Sequence, residues 1–150
     1  MQFLMDILSN YCLMSAAASW LIAQLLKTVV LIVQNRKFSF VSLIASGGMP
    51  SSHSASVTAL ATSVGIAEGF ASPVFAVTVL FAFIVMYDAT GVRRETGRQA
   101  QVLNRLMADL EEGKSENLPA HLKELVGHSP LQVFAGAGVG ILIAILLNMV

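Results

Sequence analysis

Apolar residues run through this chain in long blocks, not in strict alternation. Residues 13–33 are interrupted mainly by Gln24 and Lys27, residues 73–87 carry no charge, and residues 131–150 form a last apolar block. A fourth block, residues 54–67, is weaker and rich in Ala, Ser and Thr. At about 1.5 Å per residue, blocks approaching about 20 residues cross a bilayer core. Shorter ones must tilt, thin the membrane locally or bury their ends in protein.

The punctuation between blocks predicts the elements. The first span covers Tyr11–Val33 and ends in the turn-like QNRKF. FSFVSLIAS is a short apolar run that lies in the interface or dips into protein, and Gly47, Gly48 and Pro50 forbid a continuous helix after it. Ser51 or Ser52 is a suitable N-cap for the second span, which ends at Gly69 and Pro73. The third span runs from Pro73 to about Val92 and continues as a polar helix through Arg105. DLEEGKSEN, residues 109–117, is the solvated loop. PAHLKELV is a short helix stopped by Gly127, and Ser129-Pro130 opens the last span.

The expected fold class is therefore an all-α, integral membrane helical bundle. It has about four transmembrane helices with short interfacial or re-entrant segments, in one domain over residues 1–150. Composition agrees: 55% of the 150 residues are hydrophobic and 12% charged, too little charge to cover a soluble domain. MQFLMDILSN has no basic region and no cleavage site of a signal peptide. The single cysteine, Cys12, can form no intramolecular disulfide and reads as packing. Apart from Lys27, every Lys and Arg falls in two segments, Arg36-Lys37 and residues 93–123. Four spans put both segments on one side, which the positive-inside rule makes cytoplasmic, with both termini outside. The expected location is a bacterial plasma membrane.

With that topology the unusual polar residues meet at one depth. His53 starts the second span, Asp88, Arg93 and Arg94 end the third, His128 starts the fourth, and Lys27 lies about two turns above the end of the first. A charge inside a membrane costs at least ~2.5 kcal/mol, so it usually has a partner or a task. Two histidines, three cations and the helix start at Ser51 and Ser52, with its free N–H groups, form a candidate anion site. Such a set suits phosphoryl transfer: one histidine attacks and the other protonates the leaving oxygen. Plainer readings exist for each residue. Lys27 could snorkel, Arg93 and Arg94 could flank a span, and the serines could simply pack closely. Arg98, Arg105, Lys114 and Lys123 read as solvated or headgroup charges, and His121 as surface. Gly136 and Gly140 mark a close helix crossing or a dimer seam.

The segments GGMPSSHSA, YDATGVRR, QAQVLN and LKELVGHSPLQV are similar to the divergent, small-membrane-protein branch of the type 2 phosphatidic acid phosphatase and vanadium haloperoxidase superfamily. MPSSHS resembles that superfamily's Pro-Ser-Gly-His motif, and the run from His128 resembles its His-x-Pro-x-Asp-Val-x-Ala-Gly-Ala segment. The resemblance implies a lipid phosphatase with a phosphohistidine intermediate, and no metal or cofactor. His128 would be the nucleophile and His53 the acid, with Lys27 and the backbone near Ser52 holding phosphate. The reaction class implied is hydrolysis of a phosphoric ester or acid anhydride. The partners implied are a phosphorylated lipid and the bilayer, with a homodimer as an option and no nucleic acid.

Three positions depart from the pattern. Gln34-Asn35 stands where the first motif has Arg-Pro, Leu122 stands where an arginine precedes the nucleophile, and Gln132 replaces the carboxylate four residues after it. Lys123, Arg93 or Arg94 could restore charge. Gln132 can orient the imidazole but not stabilise an imidazolium by charge, and Asp88 could do that across the bundle. Two rival classes follow: a non-catalytic phospholipid or phosphate binder or carrier, and a scaffold that oligomerises through Gly136 and Gly140.

Overall fold

A computed structural model describes residues 1–36, 48–111 and 127–149. Every regular element among them is an α-helix: α1 (Gln2–Leu8), α2 (Tyr11–Asn35), α3 (Ser52–Glu68), α4 (Pro73–Thr90), α5 (Val92–Glu111) and α6 (Pro130–Asn148). Helices α2, α3, α4 and α6 each begin on a capping side chain. Asn10 Oδ1 accepts the N–H of Leu13 at 3.0 Å, Ser51 Oγ that of Ser54 at 3.3 Å and Ser72 Oγ that of Phe75 at 3.2 Å. Proline follows at the first position of α4 and α6, where its missing N–H costs nothing.

Helix α3 is the axis around which α2, α4 and α6 pack. It runs antiparallel to α2, because Lys27 near the end of α2 meets Ser52 at the start of α3. It runs parallel to α6, because Ser51 bonds Gln132, Thr58 Oγ1 donates to the Ala137 carbonyl at 3.2 Å, and Asn148 donates to Ser63. Gly136 and Gly140 make that approach possible. A Cβ at Gly136 would strike the Ser51 carbonyl, and one at Gly140 the Ala55 carbonyl and Thr58 hydroxyl. Both glycines are buried inside one chain, so they are not the surface of a seam between copies.

Among the described residues, three helical stretches are long and apolar enough to cross a membrane: Tyr11–Val33, Pro73–Ala108 and Pro130–Asn148. At 17 residues α3 is shorter and more polar. Its place explains its composition. A helix wrapped by three others meets little lipid, so it gains more from Ala, Ser, Thr and Gly that admit close neighbours than from bulky apolar groups. Helix α4 is the opposite case, with only Ala82 and Ala89 buried and its bulky residues facing outward.

Some boundaries differ from expectation. The third span does not run on unbroken: α4 stops at Thr90, Gly91 intervenes, and the polar α5 extends to Glu111, six residues past Arg105 and into the segment expected to be loop. Helix α1 gave no sequence signal, since seven residues carry too short a pattern. The interfacial run over residues 38–46, most of the 109–117 loop, and the 119–126 helix with His121, Leu122 and Lys123 lie outside the described residues.

Candidate functional site

The starts of α3 and α6 and the ends of α2 and α4 share one end of the bundle. Lys27 is 1% exposed although it carries an ammonium group. Its Nζ donates to Gln24 Oε1 at 3.2 Å and to Ser52 Oγ at 3.4 Å, so it does not snorkel outward. Its stem is covered by Gly48, whose φ of +101° suits glycine and where a Cβ would stand 3.3 Å from Lys27 Cγ. The glycine of SGGMP therefore lets the chain cross over the lysine.

Ser51 and Ser52 are both buried. The Ser51 N–H donates to the Gln132 carbonyl at 3.0 Å, tying the first residue before α3 to the first turn of α6. Two of the N–H groups expected to cradle an anion are thus committed, Ser51 to Gln132 and Ser54 to the cap hydroxyl. The donors left for a phosphate lie in the first turn between them.

His128 is 2% exposed. Its N–H donates to the Ala89 carbonyl at 3.0 Å, which docks the entry of α6 on the end of α4. Its Nδ1 lies 3.1 Å from Gln132 Oε1. That same oxygen accepts the N–H of Ser129 at 3.1 Å, while Ser129 Oγ accepts the N–H of Gln132 at 3.4 Å. This capping box settles a question that side-chain amides usually leave open. A backbone N–H can only donate, so the atom facing Ser129 must be the amide oxygen. Nδ1 must then carry a proton, and in the neutral imidazole the lone pair falls on Nε2, which is shielded from solvent. A neutral imidazole with its lone pair on a fixed nitrogen can act as a nucleophile or base.

His53 follows Ser52 on α3 but is exposed, at the rim of an otherwise enclosed helix start. Asp88 is half-buried on the last turn of α4, directly before the Ala89 that receives His128. Arg93 and Arg94 begin α5 just past Gly91; their side chains, like those of Gln34 and Asn35, lie outside the described residues. The structure therefore joins Lys27, Ser51, Ser52, Gln132 and His128, and sets His53 at their edge. From the sequence Gln24, Gly48 and Ser129 read only as a break in an apolar block, a helix breaker and a cap, with no place in the site. Gln24 had a signal, since a polar residue three before a buried lysine shares its helix face; Ser129 had the Ser-x-x-Gln spacing of a capping box.

The sequence pattern of the Divergent PAP2 family matches residues 8–143, which takes in every one of these residues. The chain belongs to that family. It is also similar to Uncharacterized membrane protein YuiD of Bacillus subtilis (strain 168), with 42% identity over 153 aligned positions that cover 95% of this chain and 97% of that protein. No solved structure matches it. Family membership and the three apolar helices make this an integral membrane protein of helical architecture.

Proposed function

We propose that this single-domain protein is a membrane-embedded phosphatase that hydrolyses a phosphorylated lipid through a phosphohistidine intermediate at the cytoplasmic face. One observation carries the reading: hydrogen bonds run from His128 through Gln132 to Ser51, and from the adjoining Ser52 to Lys27. A histidine whose lone pair is directed to Nε2 and a buried cation thus flank the start of one helix. Family membership supports a phosphatase-related role, and Arg36 and the basic α5 at the same end support the cytoplasmic orientation.

In this reading Lys27 and the first turn of α3 hold the phosphate and offset charge on its equatorial oxygens. His128 Nε2 attacks phosphorus, a P–N bond forms, and the P–O bond to the lipid breaks. The leaving oxygen takes a proton from His53 at the rim. Water then attacks the phosphohistidine and gives its proton to His53, the P–N bond breaks, and inorganic phosphate departs. Gln132 holds His128 throughout, and Asp88, directly before the Ala89 that receives the His128 N–H, is a candidate carboxylate to steady the charge that develops there.

The test is phosphate release from a panel of lipid phosphates by the purified protein in detergent. Release that disappears in His128→Ala supports the reading. No release, with lipid or phosphate still bound, would turn it to the second reading, a non-catalytic binder or carrier. The neutral Gln132 in place of a carboxylate is the feature that favours that alternative.

A further inference from the structure

Gln24 lies within the first membrane span, buried, three residues before Lys27. Its amide oxygen accepts a hydrogen bond from Lys27 Nζ at 3.2 Å, and Ser52 Oγ accepts another from the same nitrogen at 3.4 Å. An ammonium group can only donate, so the end of the amide that faces Lys27 is the oxygen. The spacing of three puts both side chains on one face of α2. The bond to Ser52 then carries the ammonium across to the start of α3.

The charge type of that acceptor matters. A carboxylate at position 24 would hold Lys27 at least as firmly, since charge-assisted hydrogen bonds are the stronger ones and charges inside a membrane usually pair with one another. It would also cancel the charge of the lysine. A neutral amide fixes the direction of Nζ without opposing its charge, at a helix start whose N–H groups favour an anion too. The same device recurs on α6, where the amide oxygen of Gln132 stands 3.1 Å from His128 Nδ1. Both groups that flank the start of α3 are thus aimed by amides. Resting on the reading of that helix start as a phosphate site, we propose that Gln24 is a positioning residue of the site. Its oxygen sets Lys27 Nζ against Ser52 and spares the positive charge that a phosphate group requires.

Two variants of the full-length protein in detergent separate this role from plain packing, with inorganic phosphate as the probe and calorimetric titration as the readout. Gln24→Glu keeps the shape and an acceptor for Lys27 but adds the opposing charge. Its melting temperature should stay close to that of the wild type, while phosphate binding weakens by about tenfold or more, roughly the loss of one charged contact. If Gln24 only satisfies a buried hydrogen bond, glutamate serves as well. Phosphate affinity unchanged in a folded Gln24→Glu therefore overturns the inference.

Gln24→Leu, apolar and of similar size, decides the matter if glutamate prevents folding. It should weaken phosphate binding by about threefold or more, as one neutral hydrogen bond to Nζ is lost. Placed on Lys27→Met it should add less than about twofold, because it acts through that lysine. An unchanged affinity in Gln24→Leu, or an equal loss in both backgrounds, overturns the inference, as does a wild type that binds no phosphate. Phosphate release from phosphatidic acid keeps this inference distinct from the phosphatase reading. If the wild type binds phosphate but hydrolyses no lipid phosphate, that reading fails and the titrations still decide the role of Gln24. If it hydrolyses the lipid with the same KM in wild type and Gln24→Glu, the reading stands and the inference fails.

Discussion

His128 Nδ1 and Gln132 Oε1 stand 3.1 Å apart, and the Gln132 oxygen is held in turn by the Ser129 N–H. The orientation of one imidazole is thereby built into the cap of the helix that carries it. An amide does here what a carboxylate could do for orientation, and its own direction is fixed by a backbone donor, not by charge.

Gln132→Ala should leave α6 in place, since Ser129 Oγ still caps it, but free the imidazole to rotate and change tautomer. In the phosphatase reading, kcat falls by about 10²-fold or more, as when an orienting partner of a catalytic histidine is removed. Phosphate release under single-turnover conditions, beside an unchanged melting temperature, checks this. A fall in both together would point to a merely structural role.

Lys27→Met tests whether the buried cation serves fold or phosphate. The substitution removes the Lys27 hydrogen bonds to Ser52 and Gln24, which costs about 1–3 kcal/mol, but also removes a charge whose burial costs at least ~2.5 kcal/mol. Stability should change little, while KM for a lipid phosphate rises by tenfold or more, roughly the 1.4 kcal/mol of one charged contact. Thermal unfolding and substrate titration separate the two effects.

Gly136→Leu and Gly140→Leu should destabilise the protein by about 3 kcal/mol or more, because the new side chains meet backbone carbonyls of α3 that cannot move aside. Gly138→Leu, where nothing lies within 4 Å of the added Cβ, should change stability by no more than about 0.5 kcal/mol. Denaturation in detergent would distinguish the three. Equal tolerance at all three positions would contradict the parallel packing of α3 on α6.

His53→Ala should fold normally, because the side chain is exposed. If it protonates the leaving oxygen, release from a lipid phosphate slows by about 10²- to 10⁴-fold. Para-nitrophenyl phosphate, whose leaving group departs without a proton, should be affected far less. Equal slowing of both substrates would remove His53 from that role.

Much of the fold was legible in the chain because it rests on local rules. Long apolar blocks are a response to solvent, and Ser51, Ser72-Pro73 and Ser129-Pro130 are caps whose chemistry acts within one turn. Counting spans also led to the expectation that Lys27, His53, Asp88 and His128 share one level, since a bilayer leaves little freedom in how successive helices alternate.

What local rules could not reach was who touches whom. Lys27 and Ser52 are 25 residues apart, and only the antiparallel packing of α2 on α3 turns two polar residues into a hydrogen-bonded pair. Gly136 and Gly140 were ambiguous between an internal crossing and a dimer seam until α3 was found against them. The polar character of α3 looked like a weak span and proved to be the signature of a central helix. By itself, then, the sequence determined the solvent, the helical blocks, their caps and the family's chemical vocabulary, because each depends on neighbours along the chain. The tertiary structure alone decided the burial of Lys27, the exposure of His53 and the direction of the Gln132 amide. Those depend on contacts between helices, where close packing admits one partner and excludes the rest.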